Sequence, residues 1–139
     1  MINTTIPHPV IPLTILLAED DFDDQELLHQ AFLDIDPTIQ LHSFATGKKF
    51  IDNLESLDSI PDLIILDYNI PEMNGAEILK HMKGEEQYEG VTKIVWSTSN
   101  SPYYENACLA QGASAYFVKP STLAGLIQMA KTMLSYVKK

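Results

Sequence analysis

Six carboxylates fall within eight consecutive positions near the start of the chain: Glu19, Asp20 and Asp21, then Asp23, Asp24 and Glu26. Such a cluster repels itself unless a cation offsets it. An all-oxygen donor set suits a hard divalent ion such as Mg²⁺, which is held by one or two carboxylates together with waters and phosphate oxygens. Glu19 and Asp20 are the candidate ligands. The plainer reading is that Asp23 and Asp24 open a helix at the positive end of its dipole and the rest is a solvated turn. Another carboxylate, Asp67, ends the apolar run LIIL, and an Asp carboxylate is a competent nucleophile toward phosphorus. Alone it would read as a turn former or helix cap. The Ser97 hydroxyl and the Lys119 ammonium each follow a further apolar run, and alone each would be a solvated strand end. Together, acids, nucleophile, hydroxyl and ammonium are the complementary parts of a phosphoryl site.

Those parts work only if the fold brings them to one edge. Short apolar runs alternate with amphipathic stretches, the pattern of βα units on a parallel sheet. Strands are expected at Leu13 to Ala18, Ile39 to Phe44, Leu63 to Leu66, Lys93 to Ser97 and Ala115 to Val118. LTILLA, LIIL and KIVW are nearly continuous apolar runs, as suits strands covered on both faces. Helical faces are expected from Leu27, Leu28, Ala31 and Phe32, from Phe50, Ile51, Leu54 and Leu57, and from Ile78, Leu79 and Met82. A fourth helix should open at Ser101-Pro102 and end at Gly112. A fifth runs from Leu123 through Leu126, Ile127, Ala130 and Leu134 to Val137, capped by Ser121. The expected fold class is α/β: a doubly wound, five-stranded parallel sheet of flavodoxin-like (βα)5 type, strand order 2-1-3-4-5. In that order strands one and three are neighbours, so Asp20 and Asp67 would face one crevice at the carboxyl ends of the strands, where ligands bind.

LLAEDD, LIILDYNIPEMNG, KIVWSTS and GASAYFVKPS make the chain resemble the receiver domains of two-component response regulators, CheY-like, from about Leu13 to Val137. The separations agree as well: Asp67 to Ser97 is 30 residues and Ser97 to Lys119 is 22. The resemblance implies that Glu19 and Asp20 form the acidic pocket, that Asp67 is the phosphoacceptor and that Asn69 offers its backbone carbonyl to Mg²⁺. It implies that Ser97 is the switch hydroxyl, Lys119 the phosphate-binding cation and Tyr116 the aromatic rotamer switch. The phosphodonor would be a histidine kinase or histidine phosphotransfer protein. Output would pass through the surface of helix four, strand five and helix five, to a protein target or in a homodimer. Ser97 stands where Thr is commoner, and Thr98 where Ala or Gly is often found. The loop GEEQYEGV, Gly84 to Val91, looks extended, as in single-domain receivers related to phytochrome-associated regulators.

The whole chain fits that reading. Its 139 residues suit one domain, with residues 1–12 as a flexible, proline-rich lead-in and 13–139 as the receiver. Apolar residues make up 45% and charged residues 20%, enough of each for a packed core under a polar surface. The net charge of −10 disfavours nucleic acids and anionic membranes. No apolar run approaches the ~20 residues of a membrane span, no secretory signal is evident, and the lone Cys108 fits a reducing compartment. A cytoplasmic protein is expected. His8, His29, His42 and His81 lack ligand spacing. Trp96 and Cys108 read as packing residues.

Three rivals share parts of this pattern. An Mg²⁺-dependent phosphatase with an aspartyl nucleophile would carry a second acid two residues after it, where this chain has Asn69. A flavodoxin-like electron carrier would place a hydroxyl- and Gly-rich phosphate loop after strand one, where Glu19-Asp20-Asp21 would repel a phosphate. A phosphorylation-independent binding module would have lost part of the residue set.

Overall fold

The computed structural model describes residues 11–137, so most of the lead-in expected over residues 1–12, including His8, lies outside the described residues. Five βα units follow one another. They are β1 (Thr14–Ala18) and α1 (Phe22–Ile35), β2 (Gln40–Phe44) and α2 (Gly47–Glu55), β3 (Leu63–Asp67) and α3 (Gly75–Met82), β4 (Thr92–Ser97) and α4 (Pro102–Ala110), and β5 (Ala115–Val118) and α5 (Leu123–Ser135). The strands form one parallel sheet in the order β2-β1-β3-β4-β5, as expected. The 84–91 loop contains a single 3₁₀ turn, Glu86–Tyr88.

Two apolar layers sandwich the sheet. On one face Leu16, Ala18, Ile64, Leu66 and Val95 meet Phe50 and Leu54 of α2, Ile78, Leu79 and Met82 of α3, and Cys108 of α4. On the other, Ile15, Leu17, Leu63, Ile65, Ile94 and Trp96 meet Leu28, Ala31 and Phe32 of α1 and Leu126, Met129, Ala130 and Met133 of α5. Alternate side chains of β1, β3 and β4 thus enter opposite layers, which is why these strands read as unbroken apolar runs. β2 is an edge strand with Gln40, His42 and Ser43 exposed.

Several local expectations need correction. Strand limits move by a residue: Leu13 and Ile39 precede their strands, β3 extends to Asp67 and β4 begins at Thr92. Thr122, not Ser121, caps α5, its side chain accepting the Gly125 N–H at 3.0 Å. Leu27 and Leu123, assigned to inward faces, are exposed, because each lies at the border of the stripe its helix turns to the sheet. Ser101 does cap α4, with Pro102 in the first turn, and Trp96 and Cys108 are buried.

Every helix begins just beyond a strand's carboxyl end, and the caps fix where. The Asp21 carboxylate accepts the Asp24 N–H at 2.9 Å, so Asp21 is the N-cap of α1. Asn74 and Glu77 form a reciprocal capping box on α3. Gly75, the first residue of α3, lies so close to β3 that an added Cβ would stand 3.2 Å from the Asp67 carbonyl oxygen. The helix therefore starts directly against the strand end that bears Asp67.

Candidate functional site

The carboxyl ends of β1, β3 and β5 converge on the Lys119 ammonium. Its Nζ donates to Glu19 Oε1 at 2.8 Å, to Asp24 Oδ2 at 2.8 Å and to Asp67 Oδ2 at 3.2 Å. Backbone bonds hold the surrounding chain. The Glu19 N–H donates to the Phe44 carbonyl, the Lys119 N–H to the Ser97 carbonyl at 2.8 Å, and the Tyr68 N–H to the Trp96 carbonyl. Lys119 Nζ also lies 4.6 Å from the centre of the Trp96 ring, within the range of a cation–π contact.

Glu19 is fully buried. Its second carboxylate oxygen accepts the Asp21 N–H at 3.0 Å, and its carbonyl accepts from the Gln25 side chain. Burial pushes the Glu19 carboxyl up to about 8, while the Lys119 hydrogen bond pulls the other way and the neighbouring Asp67 charge adds to the rise. For Lys119, burial works against the charge. The hydrogen bonds to Asp24 and Glu19 outweigh it and hold the ammonium above its ordinary value. Asp67 is nearly buried, and its Oδ1 accepts the Asn69 N–H at 3.1 Å.

Asp20 is exposed, yet carboxylate oxygens of Glu19, Asp20 and Asp67 lie within 4.8 Å of one another. An all-oxygen cluster with one member open to solvent fits a hard divalent ion that keeps part of its water shell. The charge balance points the same way, for one ammonium faces both Asp24 and Asp67, with Asp20 close by.

Ser97 and Tyr116 lie toward the α3–α4 side. Ser97 is buried, and its Oγ accepts the Ser99 N–H at 3.1 Å. The Tyr116 ring is half-buried against the α2–α4 layer, and its hydroxyl donates to the Ser99 carbonyl at 2.8 Å. The structure thus gathers Glu19, Asp20, Asp67 and Lys119 into one cluster and sets Ser97 and Tyr116 beside it. Asn69 is exposed, with its N–H turned to Asp67.

Two residues that sequence reasoning left out join the site. Asp24, assigned to the helix dipole, is a direct partner of Lys119. Tyr68, next to Asp67, stacks on Tyr104 of α4 with centroids 4.1 Å apart and planes at 15°, an aromatic link from the strand end to a helix.

The sequence pattern of the response regulator receiver domain matches residues 15–131. The two-component response regulator ORR3 of Oryza sativa is 28% identical over 120 residues, covering 86% of this chain and 88% of that protein. Among solved structures, the phosphorylated cyanobacterial phytochrome response regulator RcpA superposes with a TM-score of 0.83 at 25% identity, over 92% of this chain and 98% of that one. The Mn²⁺-bound form of the response regulator Rcp1 superposes with a TM-score of 0.79 at 25% identity, over 90% and 94%. Among the described residues, no helix is long and apolar enough to cross a membrane.

Proposed function

The chain belongs to the response regulator receiver family of two-component signalling, and from that premise we propose that it is a phosphoacceptor switch whose acceptor is Asp67. The observation that carries the proposal is the bond from Lys119 to Asp67 at the edge of the Glu19–Asp20–Asp67 cluster. RcpA is phosphorylated and Rcp1 binds Mn²⁺ in the structures similar to this one, and the same chemistry suits the groups assembled here.

Receiver domains interact with histidine kinases or phosphotransfer proteins, and a phosphohistidine on such a partner would be the donor. An Asp67 oxygen attacks phosphorus, the P–O bond forms as the P–N bond breaks, and the imidazole leaves with the bonding pair and takes up a proton. The product is an aspartyl phosphate. Lys119, already directed at Asp67, stabilises charge on the phosphoryl oxygens. Asp20 and Asp67, with the Asn69 carbonyl and Glu19 through water, would hold Mg²⁺, which supplies the remaining charge neutralisation. The added charge of about −1.5 to −2 then recruits the Ser97 hydroxyl and biases a two-state equilibrium. The surface of α4, β5 and α5, with Tyr103 and Leu123 exposed, carries the signal to a protein target or a second copy, in the cytoplasm and without nucleic acid or membrane.

The phosphatase alternative would need an acid two residues after Asp67, where this chain has Asn69. Intact mass after incubation with acetyl phosphate, with Mg²⁺ or with chelator, tests the proposal. One phosphoryl group should appear only with Mg²⁺ and be lost with hydroxylamine, and Asp67→Asn should prevent it. Undiminished labelling of the variant would overturn the assignment, and no labelling of the wild type would favour a phosphorylation-independent binding module.

A further inference from the structure

An ammonium has three N–H donors, and Lys119 spends them on two short bonds and one longer one. Glu19 and Asp24 each accept at 2.8 Å and Asp67 at 3.2 Å. The two short bonds go to groups that do not react. We propose that Asp24 is a positioning residue for phosphoryl transfer, pinning Lys119 over the Trp96 ring so that its third N–H faces Asp67. This inference rests on the phosphoacceptor reading and deepens it.

Helix propensity alone does not explain Asp24. The first turn of α1 holds both Asp23 and Asp24, and both carboxylates benefit from the helix dipole. Only the Asp24 side chain turns inward, with 31% of it exposed, whereas Asp23 stays exposed. Asp21, the N-cap, accepts the Asp24 N–H and so fixes the turn from which Asp24 reaches across to the end of β5. Trp96 is 1% exposed, and its ring centre lies 4.6 Å from the ammonium. When Asp67 carries a phosphoryl group, the longer bond can pass to a phosphoryl oxygen while the short bond to Asp24 persists. Lys119 then serves both states without leaving its seat, and its side chain arrives already ordered, the condition under which a charged group contributes most to a transition state.

The test compares Asp24→Asn, Asp24→Glu and Asp23→Asn in the full chain, with thermal melts to establish folding. With acetyl phosphate and Mg²⁺, Asp24→Asn should slow labelling of Asp67 about tenfold, Asp24→Glu should recover part of the rate, and Asp23→Asn should match the wild type. Without any phosphodonor, emission from Trp96, the one tryptophan of the chain, should change in Asp24→Asn and not in Asp23→Asn, a signature that a purely helix-stabilising role would not give. Should Asp24→Asn fail to fold, Asp24→Ser carries the same comparison. Wild-type rate and emission in the folded Asp24 variant would overturn the inference and leave the phosphoacceptor reading standing. If the wild type itself takes no phosphoryl group, that reading fails, and the emission comparison alone decides whether Asp24 holds Lys119.

Discussion

The Tyr116 hydroxyl donates to the Ser99 carbonyl at 2.8 Å, tying β5 to the segment that leaves β4 just after Ser97. Ser99 in turn donates its own N–H to Ser97 Oγ, so the hydroxyl beside the acceptor and the aromatic ring on the outer strand share one residue. The ring already packs against the α2–α4 layer. If Tyr116 responds as proposed, the response would begin with exchange of this hydrogen bond.

Tyr116→Phe should keep Asp67 competent for phosphorylation, lower stability by about 1 kcal/mol through loss of the bond, and loosen the α4–β5 region. Ser97→Ala should still accept phosphate but respond weakly. Amide NMR shifts with and without beryllofluoride provide the measurement. Equal shifts across α4, β5 and α5 in wild type and Ser97→Ala would dismiss the coupling.

Divalent-ion affinity should depend more on Asp20 than on Glu19. Both Glu19 carboxylate oxygens are engaged, one by Lys119 and one by the Asp21 N–H, while Asp20 is open to solvent. Asp20→Ala is expected to weaken Mg²⁺ binding more than Glu19→Ala, followed by Trp96 emission. Indistinguishable affinities would contradict this ranking.

The metal-free protein should lose stability as pH rises from about 4.5 to about 8. Within that window the buried Glu19 carboxyl keeps a proton that the unfolded chain has released, so the folded state binds more protons and raising the pH favours unfolding. The contribution is complete below the ordinary carboxylate range and gone above about 8. Urea midpoints in chelator should show the decline, and Glu19→Gln should flatten it. A flat wild-type profile would refute the account.

Gly47→Ala should destabilise the fold by about 1–3 kcal/mol. An added Cβ would stand 2.6 Å from Met73 Cβ and 2.7 Å from the Met73 carbonyl oxygen, and the Gly47 N–H bonds the Pro71 carbonyl at 3.1 Å. Because that loop follows Asp67, phosphorylation should slow in the same variant. Unchanged denaturation midpoints would show that the loop yields freely.

The sheet was legible because β1, β3 and β4 are buried on both faces and carry continuous apolar runs, while the strand order was an expectation from the receiver family that the chain resembles. Asp67 and the first acidic pair were legible because each comes at the end of such a run, and Lys119 because it follows the short apolar strand β5. Asp24 was not, since a carboxylate in a first helical turn has a sufficient local reason to be there, and its reach to Lys119 depends on how α1 is seated. Thr122 and Ser121 offer the same hydroxyl, and only the backbone decides which one caps. Tyr68 and Tyr104 are 36 residues apart, and nothing local announces that their rings stack.

Cys108 is the chain's one thiol, fully buried on α4 and pushed up to about 11 by that burial. An alkylating reagent meets it as an inert thiol while α4 stays packed, and reaction requires the helix to open, since only an exposed thiolate attacks. The labelling rate of Cys108 is therefore a clock for the opening of α4, the helix that Tyr68 touches through Tyr104, and it can be read in the native chain without introducing a cysteine.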